Sequence, residues 1–145
     1  MIWKALEKYR DEGLLVVRLG FGLGFLYFHG WSKLMEGPER WARVGGALEH
    51  FGIGFGHTFF GFVAALSESV GGILIALGLF FQPVCLLLAI TMVVASGNHI
   101  ATGRGSPAHA FKNATLFLGL MLIGPGKYSF DYLIQRKLQT RQTGS

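Results

Sequence analysis

The sequence predicts an all-α membrane protein, a bundle of four transmembrane helices with an amphipathic interfacial helix between the first and the second. Composition is the first observation behind this prediction: of 145 residues, 51% are hydrophobic and 14% are charged, whereas soluble domains carry about 25% charged residues. The second is that the apolar residues gather into four long stretches, and in lipid a helix satisfies its own backbone polar groups. A soluble globular enzyme and a disordered chain are excluded, and residues 1–145 are interpreted as one membrane domain.

The apolar stretches predict transmembrane helices at about 14–35, 58–81, 84–102 and 109–124. About 20 helical residues cross a hydrocarbon core of about 30 Å, so the first three stretches are long enough. The fourth is short by a few residues, and we expect it in a thinned or protein-lined part of the bilayer. Between the second and third helices, Gln82–Pro83 is expected to form a tight turn, because proline restricts the residue before it.

Two further helices are predicted outside the apolar stretches. A helix over about 38–51 begins with Pro38, which suits a first helical turn. Its larger apolar side chains fall near one face, namely Trp41, Val44, Leu48 and Phe51. This pattern is typical of a helix that lies along the membrane surface. Near the end of the sequence, Ser129 is expected to cap a short polar helix over about 130–139.

The charge distribution predicts how the chain sits in the membrane. The net charge is +5, and the Lys and Arg residues lie near the ends of the apolar stretches, where they set topology and meet anionic lipid. We therefore expect the lipid bilayer, and not nucleic acid, as the partner of these charges. More of them flank the two termini than the opposite loops, so both termini are expected in the cytoplasm. The single cysteine, Cys85, offers no dithiol chemistry.

Ionisable residues inside the apolar stretches need a partner or a purpose, because each costs roughly 2.5–3.5 kcal/mol to insert. Arg18, His29 and Lys33 fall on one stripe of the first helix. Glu68 is the most deeply placed acid, in the middle of the second helix. The simplest expectation for it is a structural ion pair between Arg18 and Glu68.

The polar residues of three helices are also expected at one depth of the outer leaflet, with Glu68 below them. Together they form the candidate ligand or proton-transfer site: His29, Lys33, Glu68, Asn98, His99, His109, Lys112 and Asn113. Each also has a structural interpretation, since asparagines bond neighbouring helices and lysines anchor helix ends. Gly20 and Gly24, four residues apart, are interpreted as a site of close helix packing. No metal site is predicted.

Several motifs resemble the DoxX family over about residues 14–132. They are Arg18-Leu19-Gly20, the run Tyr27-Phe28-His29-Gly30-Trp31-Ser32-Lys33-Leu34, Glu68-Ser69-Val70-Gly71-Gly72, His99, and Gly124-Pro125-Gly126-Lys127-Tyr128-Ser129-Phe130-Asp131. The resemblance implies a small bacterial protein of the cytoplasmic membrane. It also implies a redox setting, because the family takes its name from the membrane part of a thiosulfate:quinone oxidoreductase.

Two functions of different kinds follow. One is a quinone-interacting oxidoreductase subunit, in which His29, His99 and Lys33 donate to the quinone head and Glu68 relays protons. Phe25 and Phe28 would line an apolar slot for the quinone tail. Such a subunit would take electrons from another membrane or redox protein, because the chain has no flavin or dinucleotide fingerprint. The alternative is a non-catalytic assembly or structural subunit of a larger membrane complex. A haem held by His29 and His99 ranks lower, and whether the chain is an enzyme stays open.

Overall fold

The computed structural model describes residues 6–143, and every regular element in this range is helical. We number the longer helices in chain order. They are α1, Glu7–Met35; α2, Pro38–Gly45; α3, His57–Leu77; α4, Phe81–Thr102; α5, Pro107–Ile123; and α6, Phe130–Thr143. The predicted all-α class is confirmed for the described part of the chain.

Among the described residues, α1, α3 and α4 are long and apolar enough to cross a membrane. The remaining apolar helix, α5, has 17 residues. It packs along α4, while α1 packs along α3. Ser106 begins α5 by accepting a hydrogen bond from the backbone of His109 at 3.3 Å, and Pro107 fills the first helical position.

The first helix, α1, changes its winding in the middle. Regular α-helix over Arg10–Gly24 gives way to a π-helical segment over Phe25–Gly30 and resumes over Trp31–Met35. At the end of this segment the Trp31 N–H donates to the carbonyl of Leu26, five residues back. A π segment widens the turn by about one residue and rotates everything that follows it.

Glycines on both sides of this segment allow α1 and α3 to touch through their backbones. A Cβ atom at Gly22 would collide with the backbone of Gly72, and one at Gly30 would collide with the backbone of Ser69. Gly20 and Gly24 do not take part, because a Cβ at either position would meet nothing within 4 Å. Close packing therefore rests on Gly22 and Gly30, not on the predicted Gly20–Gly24 pair.

The connection between α1 and α3 is an α-helix followed by a 3₁₀ segment, Gly46–Phe51, instead of one helix over 38–51. Its Trp41 indole donates to the carbonyl of Lys33 at 2.9 Å, and the Trp41 ring lies 4.8 Å from the ring of Phe62. At the other end, Phe51 packs against Gly97 of α4. The connection thus bridges α3 and α4 at one end of the bundle.

The turn between α3 and α4 lies earlier than predicted. Gly78, with φ +66°, ends α3, and α4 begins at Phe81, so Gln82 and Pro83 belong to its first turn. The cause is the Asp131 carboxylate, which accepts from the backbone N–H of Phe80 at 3.0 Å and of Phe81 at 2.8 Å. These bonds cap α4 from another part of the chain, and proline is tolerated in a first turn.

Arg18 is 1% exposed and does not pair with Glu68. Its guanidinium donates to four backbone carbonyls: Ile75 at 3.1 Å, Ala76 at 2.9 Å, Pro125 at 2.7 Å and Tyr128 at 3.1 Å. The predicted pair is wrong because α1 and α3 run antiparallel. Arg18 lies level with the C-terminal end of α3, whereas Glu68 lies about 10 Å before that end along the helix.

The α6 helix begins close to Arg18. We call this part of the molecule the Arg18 end of the bundle. Ser129 accepts a hydrogen bond from the backbone of Tyr132 at 3.2 Å, which confirms the predicted cap. The helix continues to Thr143, past the predicted end at 139. On the facing helix, the carboxylate of Asp11 accepts from the backbone of Lys127 at 3.1 Å. The Arg18 end is therefore held together by side chains that bond to backbone.

Candidate functional site

Glu68 forms an ion pair with Lys33 in the half of the bundle away from Arg18. The Lys33 Nζ lies 2.6 Å from the Glu68 Oε2, and the two side chains are 23% and 2% exposed. Lys33 follows the π segment of α1, and the neighbouring Gly30 sits against the backbone of Glu68 and Ser69. The close approach of α1 and α3 thus brings the two charges together within apolar helices.

Two histidines meet where α1 faces α5. The rings of His29 and His109 lie 5.6 Å apart between centroids. The side-chain amide nitrogen of Asn113 lies 3.1 Å from the Nε2 of His109. Because an amide nitrogen only donates, this contact leaves the ring proton of a neutral His109 on Nδ1. Both imidazoles keep a polar edge that can serve a ligand.

Phe25 supports His29 from the same helix. Its ring lies 5.0 Å from the His29 ring and meets Phe117 of α5 edge-on at 4.9 Å. Phe25 is 4% exposed and belongs to the apolar core of the bundle. One aromatic side chain therefore joins α1 to α5 beneath the histidines and limits the orientation of the imidazole.

A groove of about 410 Å³ runs between α1 and α5 and ends at these histidines. Its lining is apolar except for three polar side chains, and consists of Val16, Val17, Gly20, Phe21, Gly24, Phe25, Phe28, His29, His109 and Asn113. From Val16 to His29 the helix rises about 20 Å. This combination of a long apolar surface with polar groups at one end suits a ligand that is itself amphipathic.

The structure brings some of the predicted site residues together and leaves the others outside the groove. His29, His109 and Asn113 line the groove, and Lys33 pairs with Glu68 beside it. His99 packs against Gly105 in the loop before α5. The backbone carbonyl of Asn98 accepts a hydrogen bond from the Thr102 hydroxyl at 2.7 Å. Lys112 is exposed. None of these last three is among the groove's lining residues.

Of the apolar part of the groove, the sequence predicted Phe25 and Phe28 and missed Val16, Val17 and Phe21. This apolar part is formed by α1 residues that face away from α3, most of them in the regular helix before the π segment. The closest signal in the sequence is the alternation of Gly20, Gly22 and Gly24, but spacing alone does not show which of them a neighbouring helix covers. Among the described residues, no group of three or more His, Cys, Asp or Glu could hold a metal ion.

Comparison with known proteins adds one match. A family model described as DoxX matches residues 13–99. No curated protein and no solved structure matches the chain. The matched range includes His29, Lys33 and Glu68 and ends before α5 begins. It thus covers one wall of the groove and the ion pair beside it.

Proposed function

The chain belongs to the DoxX family, and from that premise we propose that this membrane protein is a component of a redox system that binds a quinone in the groove between α1 and α5. The observation that carries the proposal is the groove itself, whose long apolar lining ends at His29, His109 and Asn113. A quinone also combines a polar part and an apolar part, namely its head and its tail. The family supplies the redox setting, and the groove supplies the binding chemistry.

The polar end of the groove matches the hydrogen-bonding needs of a quinone head. Each ring carbonyl oxygen accepts hydrogen bonds, and a neutral imidazole has one N–H to donate. His29 and His109 come from different helices, so their donors can reach the head from two sides. Asn113 fixes the tautomer of His109 by its contact with Nε2 at 3.1 Å.

The Lys33–Glu68 pair supports proton supply at this site. Reduction of a quinone to a quinol consumes two electrons and two protons. Lys33 is partly exposed while Glu68 is buried, so the pair links the surface of the bundle to its interior beside His29. We assign the electrons to a partner redox protein, because the sequence has no flavin or dinucleotide fingerprint.

The placement in the membrane is part of the proposal. We infer four crossings, by α1, α3, α4 and α5, in the bacterial cytoplasmic membrane, with both termini in the cytoplasm. The high amphipathicity of α2 supports a position along the outer membrane surface. The short α5 is supported by its packing along α4, since a helix shorter than the bilayer is accommodated beside protein or in a thinned region.

Binding of quinone to the full chain in lipid nanodiscs tests the function. We expect saturable binding by the parent and a loss of about tenfold in affinity for His29→Ala and for His109→Ala, since each removes one desolvated hydrogen bond. His99→Ala is the matched control, because His99 does not line the groove, and it should bind as the parent does.

Two outcomes would contradict the proposal. One is the absence of saturable quinone binding by the parent chain. The other is parental affinity in both His29→Ala and His109→Ala. If instead these variants lost folded protein before any loss of binding, the polar residues would act as a structural network, as expected of an assembly subunit.

A further inference from the structure

We propose that the groove takes a long-chain quinone directly from the bilayer and holds its isoprenoid tail against Gly20 and Gly24. The inference rests on the proposed function and deepens it, because it names the class of quinone and the way that it enters. A water-soluble quinone without a tail would use only the polar end of the groove. A tailed quinone would use its whole length.

The groove opens toward the surface that meets lipid. Three of its lining side chains are exposed on the outside of the bundle: Val16 at 70%, Phe21 at 36% and Phe28 at 74%. The floor is buried, with Phe25 at 4% and Asn113 at 7%. A ligand dissolved in the hydrocarbon can therefore slide in sideways between α1 and α5. No passage through the protein interior is needed.

Gly20 and Gly24 leave this surface flat without serving the packing of the chain on itself. A Cβ atom at either position would meet nothing within 4 Å. Glycine in a helix costs about 0.5–1 kcal/mol relative to alanine, and here no neighbouring helix gains from it. Gly22 differs, because α3 leaves no room for a side chain there. The two open glycines leave space that no residue in the described range 6–143 fills.

The polar end of the groove decides between a quinone and a transmembrane helix as the occupant. Closely packed apolar helices use glycines spaced by four residues. Such a helix would cover His29 and His109 with side chains that offer their N–H groups no acceptor, and that loss is costly in a dry environment. A quinone places an acceptor oxygen at the histidines and apolar carbon on the glycines.

Photolabelling of the full chain in nanodiscs tests the position of the tail. The probe is a quinone whose isoprenoid tail carries a diazirine, and the labelled peptides are located by mass spectrometry. We expect labelling concentrated on residues 16–24 and suppressed by excess unlabelled long-chain quinone. Gly20→Leu and Gly24→Leu should lower this labelling about tenfold, because a leucine fills the groove. Gly119→Leu is the control, since Gly119 is also open but lies outside the groove.

Each outcome bears on the inference. It is overturned if the label spreads evenly over the lipid-facing surfaces of α3 and α4, or if Gly20→Leu labels like the parent. It is also overturned if Gly20→Leu changes only the oligomeric state of the protein, which would indicate a helix–helix contact. If quinone binding persists in these cases and still depends on His109, the proposed function stands. If no saturable binding occurs, both fail.

Discussion

At the scale of single residues, two cations inside the bundle have different kinds of partner. The charge of Arg18 is stabilised by hydrogen bonds to four backbone carbonyls, whereas the charge of Lys33 is paired with the carboxylate of Glu68. A planar guanidinium with five N–H donors can serve several acceptors at fixed angles, and an ammonium group cannot copy this arrangement. The two sites should therefore respond differently to substitution.

Substitution of Arg18 by lysine should destabilise the protein by about 3 kcal/mol, because a buried charge loses most of its acceptors. The measurement is the midpoint of thermal unfolding in detergent, followed by the loss of helical circular dichroism. Arg136→Lys, on the exposed surface of α6, is the control and should melt as the parent does. An unchanged midpoint for Arg18→Lys would show that the four hydrogen bonds of the Arg18 guanidinium contribute no stability.

The Lys33–Glu68 pair is best tested as a double-mutant cycle. Lys33→Met should destabilise the fold by about 3–5 kcal/mol, because it leaves the buried Glu68 charge without its partner, and Glu68→Gln should cost less, because Lys33 is partly exposed. The double variant removes both charges and should recover much of the loss. Additive losses in the double variant would mean that the two side chains do not act as a pair.

At the scale of elements, the π segment of α1 determines what each face of the helix does. It allows Gly22 and Gly30 to contact α3, while His29 turns toward α5. Hydropathy located α3, α4 and α5 to within four residues, because apolar length is a property of the sequence alone, whereas α1 begins at Glu7, seven residues before the predicted position 14. Hydropathy could not locate the π segment, because no residue type in Phe25–Gly30 requires one, and so it could not predict that His29 turns toward α5 while Gly30 faces α3.

The glycines of α1 provide a matched test of this arrangement. Gly22→Ala and Gly30→Ala should each destabilise the protein by about 1–3 kcal/mol, because the new methyl group meets the backbone of α3. Gly24→Ala should be neutral or stabilising by about 0.5–1 kcal/mol, since its Cβ has open space and alanine favours helix. Thermal unfolding in one detergent compares the three, and equal effects would contradict the assigned faces.

The prediction of an Arg18–Glu68 pair was wrong because it depended on the register between α1 and α3. Helix positions can be read from the sequence, but the vertical register between two antiparallel helices depends on their loops and on which small residues meet. Gly22 against Gly72 sets this register, and it places Lys33 opposite Glu68. The prediction that His29, His109 and Asn113 lie close together needed only the depth of each residue along its helix, and the groove contains all three.

At the scale of the whole molecule, the inferred topology assigns opposite sides of the membrane to Ser106 and Thr140. We predict that a membrane-impermeant maleimide labels Ser106→Cys in intact cells and labels Thr140→Cys only after lysis, both in a Cys85→Ala background. The physical reason is the excess of Lys and Arg at the ends that flank the termini. Labelling of position 140 in intact cells would reverse the topology.

The hydrogen bonding of Arg18 also bears on how the protein is synthesised. Two of its acceptors, Pro125 and Tyr128, follow it by 107 and 110 residues. At about 5–20 residues per second, a ribosome needs about 5–20 s to supply them. Until then the nascent first helix carries a guanidinium whose set of acceptors is incomplete, so the bundle closes only when its last loop arrives. A chain interrupted before its last loop would keep a guanidinium that lacks two of its four acceptors.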